Sequence, residues 1–285
     1  MRNSPLYILT EDLSFFYRVN KELKKLRISF KILNLNKILP NQSNIILTTS
    51  KEAALMEEQG KKSIILAYSE KEDFENYIIR ILAALRVGYK DSYSEILFSV
   101  DPGKRTGLMI FLEGYYLYSY CCFKPNEVVE KIIKYVECFQ TNNENNVKIT
   151  FKLGNGVLAI TINLVKQIYS IFKKGTNLKI LIIDEFKSSK LKLSQRNMPH
   201  PVSKDEVSAL ILALRDGIEV NQKNYRILIK QSYKNRKFDH EQGKFNNNKG
   251  IYDKSMVAEI ILRVIEGEIT LKSASNELKS LNRLK

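Results

Sequence analysis

Ile96-Leu97-Phe98-Ser99-Val100-Asp101-Pro102-Gly103-Lys104-Arg105-Thr106-Gly107 decides the fold of the second half of this 285-residue chain. An apolar run closing on a carboxylate reads as a buried strand that delivers Asp101 to its end, and Gly103 permits a tight exit there. Two further strands, Gly107–Glu113 and Tyr115–Cys122, meet at Glu113-Gly114, a natural hairpin turn. A helix is expected from Pro125 to about Gln140, with proline near its first position, and the polar run Thr141–Asn146 ends it. Beyond it, Val147–Leu153 and Leu178–Ile183 read as strands, and Val157–Lys174 and Lys204–Asp216 as helices.

Three antiparallel strands followed by helix, strand, helix, strand, helix is the ribonuclease H order. Over about residues 95–217 the chain resembles the RuvC-like Holliday junction resolvases. The resemblance rests on the apolar strand closing in Asp101-Pro102-Gly103 with Thr106-Gly107 just beyond. It rests also on Asp205-Glu206-Val207-Ser208-Ala209-Leu210-Ile211-Leu212-Ala213, similar to that family's last helix. It implies a Mg²⁺- (or Mn²⁺-) dependent endonuclease of branched DNA, working in DNA repair and recombination, and a homodimer making two symmetric cuts. Such hydrolysis uses two hard cations roughly 4 Å apart, which require carboxylate oxygens. Asp101 falls on the bridging ligand and Asp205 on the first helix carboxylate.

The pattern breaks on the fourth strand. That family's second acid lies there, but this strand runs out in Lys152-Leu153-Gly154-Asn155-Gly156 with no carboxylate, and the second acid of the last helix is Ser208. The nearest replacements are Asp184 and Glu185 after the fifth strand. Adjacent strand residues face opposite ways, so only one of them addresses the cleft, and Glu185 is the better choice. Each candidate also has an ordinary account. Asp101 suits a solvated strand end, Ser203 and Glu206 form a capping box, first-turn acids answer the helix dipole, and Gly154-Asn155-Gly156 serves equally as a tight turn or a phosphate cradle.

Residues 1–89 have a different rhythm. Strand-like Leu6–Leu9, Phe30–Leu35, Asn44–Thr49 and Ser63–Tyr68 alternate with helical Glu11–Arg27, Lys51–Gln59 and Glu70–Val87. Parallel strands with helices on their faces follow, a small flavodoxin- or receiver-like α/β domain. Thr10 or Asp12 is expected to cap the first helix, Glu11 and Asp12 to lie in its first turn, and Gly60 and Gly88 to end helices. Thr48-Thr49-Ser50 stands where a receiver carries its phosphoacceptor aspartate, and no glycine-rich phosphate loop is present. Residues 90–95 read as a linker.

Charge points to a polyanionic partner. Forty-six Lys and Arg against 31 Asp and Glu give a formal net charge of +15, and cations along a phosphate backbone release its counterions. Residues 218–285 carry the densest basic run, with Lys223, Arg226, Lys230, Lys234, Arg236 and Lys237 interleaved with Tyr225, Tyr233 and Phe238. With Lys104 and Arg105 beside Asp101, these are the expected nucleic-acid contacts, aromatics stacking on unpaired bases. Phe238–Gly250 reads as a loop, and Asp253–Glu266 and Thr270–Leu281 as a helical hairpin hinged at Gly267. No apolar run reaches the roughly 18 residues of a membrane span, and no signal-peptide core is present, so a cytoplasmic protein is expected. Three cysteines and two histidines build neither a disulfide framework nor a zinc site. Two rivals to the nuclease remain: a catalytically inactive nucleic-acid-binding module of the same fold, and an ATP-binding actin-like protein, because Asp101–Gly107 loosely resembles that superfamily's phosphate loop.

Overall fold

Leu6–Leu9, four successive buried apolar residues, forms the inner strand β1 of a wholly parallel sheet, because a strand covered on both faces cannot alternate. The computed structural model describes residues 5–34, 44–56, 63–140, 147–172, 176–185, 202–241 and 254–283. They divide into two compact units, Met1–Asp91 and Ser92–Lys285. The first unit joins β1 to β2 (Lys31–Leu33), β3 (Ile45–Thr49) and β4 (Ile64–Tyr68) in the order β2-β1-β3-β4, the doubly wound order. Its helices are α1 (Leu13–Lys25), α2 (Ser50–Ala53) and α3 (Phe74–Arg86).

Three local expectations change. Asp12 sits outside the first turn of α1 as its N-cap, accepting from the Phe15 N–H, and no acid occupies that turn. Thr10 instead donates to the Glu52 carboxylate. The helix expected over Lys51–Gln59 is a single capped turn running on to Met56, with residues 57–59 and Gly60 outside the described region. Gly88 ends α3 in the left-handed conformation (φ 99°), as a helix stop should.

The second unit is built on a six-stranded mixed sheet, β10-β9-β8-β5-β6-β7. Central β5 (Glu95–Asp101) pairs antiparallel with β6 (Thr106–Leu112) and parallel with β8 (Lys148–Gly154). Beyond them lie β7 (Tyr115–Cys122) and β9 (Leu178–Ile183). This is the ribonuclease H-like arrangement, extended by the short antiparallel β10 (Ile218–Val220), which periodicity did not reveal. Glu113 (φ 52°) and Gly114 (φ 77°) make the two-residue hairpin turn between β6 and β7, whose twist matches the strands.

Helices α4 (Pro125–Gln140) and α5 (Leu158–Ile171) cover one sheet face, burying the stacked pair Phe98–Phe151 with centroids 5.2 Å apart. The other face carries α6 (Lys204–Ala213), with α8 (Lys254–Ile265) and α9 (Leu271–Arg283) packed around it against Met109, Phe111 and Tyr116. The terminal hairpin is therefore core, with Gly267 left-handed between its helices and Thr270 capping α9. The basic segment departs most from expectation. Tyr225–Glu241 is helix α7, so the loop expected from Phe238 begins no earlier than residue 242, outside the described region.

Helix α6 is fixed to the sheet by polar contacts along its length. Ser99 Oγ donates to the Ala209 carbonyl at 2.6 Å, and Lys152 Nζ donates to the Ala213 and Arg215 carbonyls, both at 2.6 Å. At its N-terminus the helix sits so close to β6 that a Cβ on Gly107 would overlap the Asp205 carbonyl. Backbone against backbone cannot yield as a side chain can. Gly107→Ala is therefore expected to destabilise the unit by about 1–3 kcal/mol, read as a lower urea midpoint at unchanged slope.

Candidate active site

Asp101 ends β5 on the same face as Ser99, because strand side chains alternate, and that face is the one α6 covers. Asp205 lies in the first turn of α6 and reaches the same spot. Its charge is felt by Asp101, whose pKa burial and then the Asp205 carboxylate push up to about 6, while a hydrogen bond with Ser208 pulls the other way. Ser208, at the place of the second helix acid, thus serves Asp101 as a neutral partner.

Asp205 has partners of its own. Arg105 Nε lies 3.2 Å from Asp205 Oδ2, and the Cys121 thiol donates to the same oxygen at 3.7 Å. Neither contact was legible in the sequence, since both depend on where the β5–β6 turn and β7 end. Next to it, Glu206 is buried and closes the expected capping box with Ser203, accepting from Ser119 Oγ at 2.5 Å. Ser119 and Tyr116 are also hydrogen-bonded, at 2.9 Å, so a buried polar network fixes the start of the helix.

Glu185 occupies an unforeseen place. It follows β9, farther from Asp101 than β8, yet its carboxylate lies over the bare backbone of Gly154 and Gly156. Gly154 comes one step after the Val100–Leu153 pair, so it flanks Asp101 across the strands. A Cβ at either glycine would overlap the Glu185 side chain. A carboxylate following β9 thus reaches back over the end of β8, and the Gly-Asn-Gly spacing was the available signal. Asp184 is exposed, and its carbonyl accepts from Arg215 Nη1 at 2.6 Å. Among the described residues, no group of three His, Cys, Asp or Glu stands close enough to hold one metal ion.

The Gly154-Asn155-Gly156 turn is tied to the basic segment. Asn155 is 0% exposed; its N–H donates to the Ile183 carbonyl, and its Nδ2 donates to Ser232 Oγ of α7 at 2.8 Å. Helix α7 buries Tyr225 and Ile229 and exposes Arg226, Lys230 and Lys234, with exposed Lys223 in the turn before it. These cations recur every three or four residues, which places them on one face. Arg236 and Lys237 continue the helix, but their side chains lie outside the described residues. Lys104 and Arg105 are exposed on the β5–β6 turn.

No known family model and no curated protein matches the chain. Similar solved structures include the Marinitoga piezophila Argonaute in complex with 5′ OH guide RNA and target DNA. The identity is 13% and the TM-score 0.26, over 64% of this chain and 39% of that one. Another is Aa-Ago with externally bound siRNA, at 12% identity and TM-score 0.22, over 64% of this chain and 35% of the other. The chain spans well under half the length of either Argonaute. No helix among the described residues is long and apolar enough to cross a membrane.

The pair Asp101–Asp205 carries a stability signature. A carboxyl raised from an unfolded value near 3.9 to about 6 makes the folded state bind more protons between those limits. Its contribution is fully present below about pH 4 and is lost as pH rises through about 6. Asp101→Asn is therefore expected to stabilise the protein by roughly 1–3 kcal/mol at pH 7.5 and not at pH 4. Urea midpoints at the two pH values test it, and equal effects at both would remove burial of a charged Asp101 as the cause. Gly156→Ala should expel the Glu185 carboxylate at small cost, below about 1 kcal/mol, because the colliding atoms end a flexible side chain.

Proposed function

We propose that the chain is a divalent-metal-dependent endonuclease with a ribonuclease H-like fold. The observation that carries this is that Asp205, from a helix more than 100 residues later, rests its backbone on Gly107, the direct strand partner of Asp101. Arg105 offsets the charge of Asp205, but Asp101 has only the neutral Ser208 against its burial, so the pair fits a site that receives further positive charge.

The donor set suits one hard cation. Mg²⁺ is commonly held by one or two carboxylates, with water and substrate phosphate oxygens completing its shell. Asp101 and Asp205 would hold it and Ser208 would orient Asp101, with the Glu185 carboxylate next across the strands. Bound there, such a cation supplies water activation and stabilisation of the leaving oxygen. Arg105, with 55% of its side chain exposed, has the freedom to exchange Asp205 for a substrate phosphate. The cations of α7 would hold the strand beyond, which the net charge of +15 supports. A branched DNA substrate and a homodimer follow from the RuvC resemblance alone.

One observation favours the rival, a binding module without catalysis: Arg105 already neutralises Asp205 where a second metal ligand would be wanted. Incubating the protein with labelled four-way junction, flap, duplex, single strand and RNA–DNA hybrid, with Mg²⁺ or Mn²⁺, separates the two. Metal-dependent cutting abolished by Asp101→Asn and by Asp205→Asn is expected; tight salt-sensitive binding with no cutting establishes the module instead. Measured binding of ATP would revive the actin-like alternative.

The α7 face makes a separate expectation. Replacing Arg226, Lys230 and Lys234 by alanine should weaken binding alike for all sequences. It should also lower the slope of log affinity against log salt by about 2–3, since each lost phosphate contact removes roughly 0.7–0.9.

A further inference from the structure

A small cavity of about 190 Å³ opens on the sheet face opposite the acid pair, at the same end of the strands. Thr106, Val128, Ile160 and Leu164 line it, with Ala159, Asn163 and Gln167 along the face of α5. Val128 and Leu164 are buried, while Ala159 and Asn163 are exposed and form the rim. Sites for drug-sized ligands run from about 300 Å³ upward, so this one takes a single ring system rather than a whole cofactor. Its walls are aliphatic and its polar groups are a hydroxyl and two amides. With no Lys or Arg among the lining residues, it is no phosphate pocket.

Position relates the cavity to the acids. Thr106 lines it, and the next residue, Gly107, is the strand partner of Asp101 and the seat of Asp205. Adjacent strand residues face opposite ways, so cavity and acid pair lie back to back across one step of β6. A nucleic-acid strand crossing this edge with a phosphate at Asp101 would carry a neighbouring base over to the other face. Phe123 lies at the same strand end: it is 69% exposed and follows Cys122, the strand partner of Thr106. An apolar hollow with a hydroxyl and two amides, and an exposed aromatic residue at the same end of the strands, suit unpaired bases, which are held by stacking and by hydrogen bonds to their edges.

We propose that this cavity receives one unpaired nucleobase of the bound strand, making the protein selective for nucleic acid with an unpaired nucleotide at the site. The proposal rests on the nucleic-acid reading above but needs no cleavage. It commits to a base carried by a strand; a free nucleoside is the same chemistry from another source.

The test measures binding of the full chain by fluorescence anisotropy, with Ca²⁺ in place of Mg²⁺, to single-stranded DNA tethered in register by a short duplex. A single abasic residue is moved along the strand. The expected result is one position at which loss of the base weakens binding about tenfold while its neighbours change little. Ala159→Phe, which closes the mouth from the exposed rim, should erase that dependence and weaken intact DNA to the abasic level; Asn163→Trp does the same from the other side should the first fail to fold. A flat abasic profile on DNA that binds well overturns the cavity proposal alone. Failure of every oligonucleotide to bind overturns the nucleic-acid reading with it. Adenosine or thymidine displacing no strand at millimolar concentration, while the abasic position still matters, confirms that the base is held as part of the chain.

Discussion

Close seating of α6 on the bare backbone of Gly107 is the constraint from which the second unit's chemistry follows. Without a side chain at 107 the helix start rests on β6, and Asp205 faces Asp101 across the strand end. The helix is then held at three levels, by the Ser203–Glu206–Ser119 network, by Ser99 and by Lys152. Its last turn contains no basic residue, so Lys152 supplies from the sheet the cation that a helix C-terminus favours. Burial lowers the pKa of that lysine to about 8, a sign of how far the ammonium is withdrawn from water.

The sheet was largely legible because its strands are long apolar runs between turn residues. Tyr115–Cys122 and Leu178–Ile183 come out residue for residue, and most helix ends shift only by the distance to a capping residue. Helix α7 was hidden because only a few of its side chains, chiefly Tyr225 and Ile229, need to be apolar to hold it against α5. From Phe238 on, its residues are polar enough to read as loop. The capping residues Asp12, Ser203 and Thr270 were legible, since a cap is a local bond. The Arg105–Asp205 pair and the reach of Glu185 were not, since they join parts of the chain that only the tertiary fold brings together.

Glu185 follows β9 yet lies over the end of β8. Two glycines clear the space, and the intervening Asn155 bonds backbone to β9 and side chain to α7. The turn that makes room for the acid is therefore also the turn that holds the basic helix. The Glu185 carboxylate and the helix that carries the basic face thus depend on one short segment, and a change in Asn155 would be felt by both.

In the first unit, the crevice at the carboxyl ends of β1 and β3 is where a doubly wound sheet ordinarily admits a ligand. Here Glu52 fills it. The carboxylate accepts from the hydroxyls of Thr10, Thr48 and Thr49 and from the N–H groups of Glu11 and Thr49. Burial opposes its ionisation, but these donors prevail and hold its pKa down at about 2. An incoming phosphate would meet a resident anion that has already claimed the donors. The crevice of this unit is in effect filled by one of its own side chains.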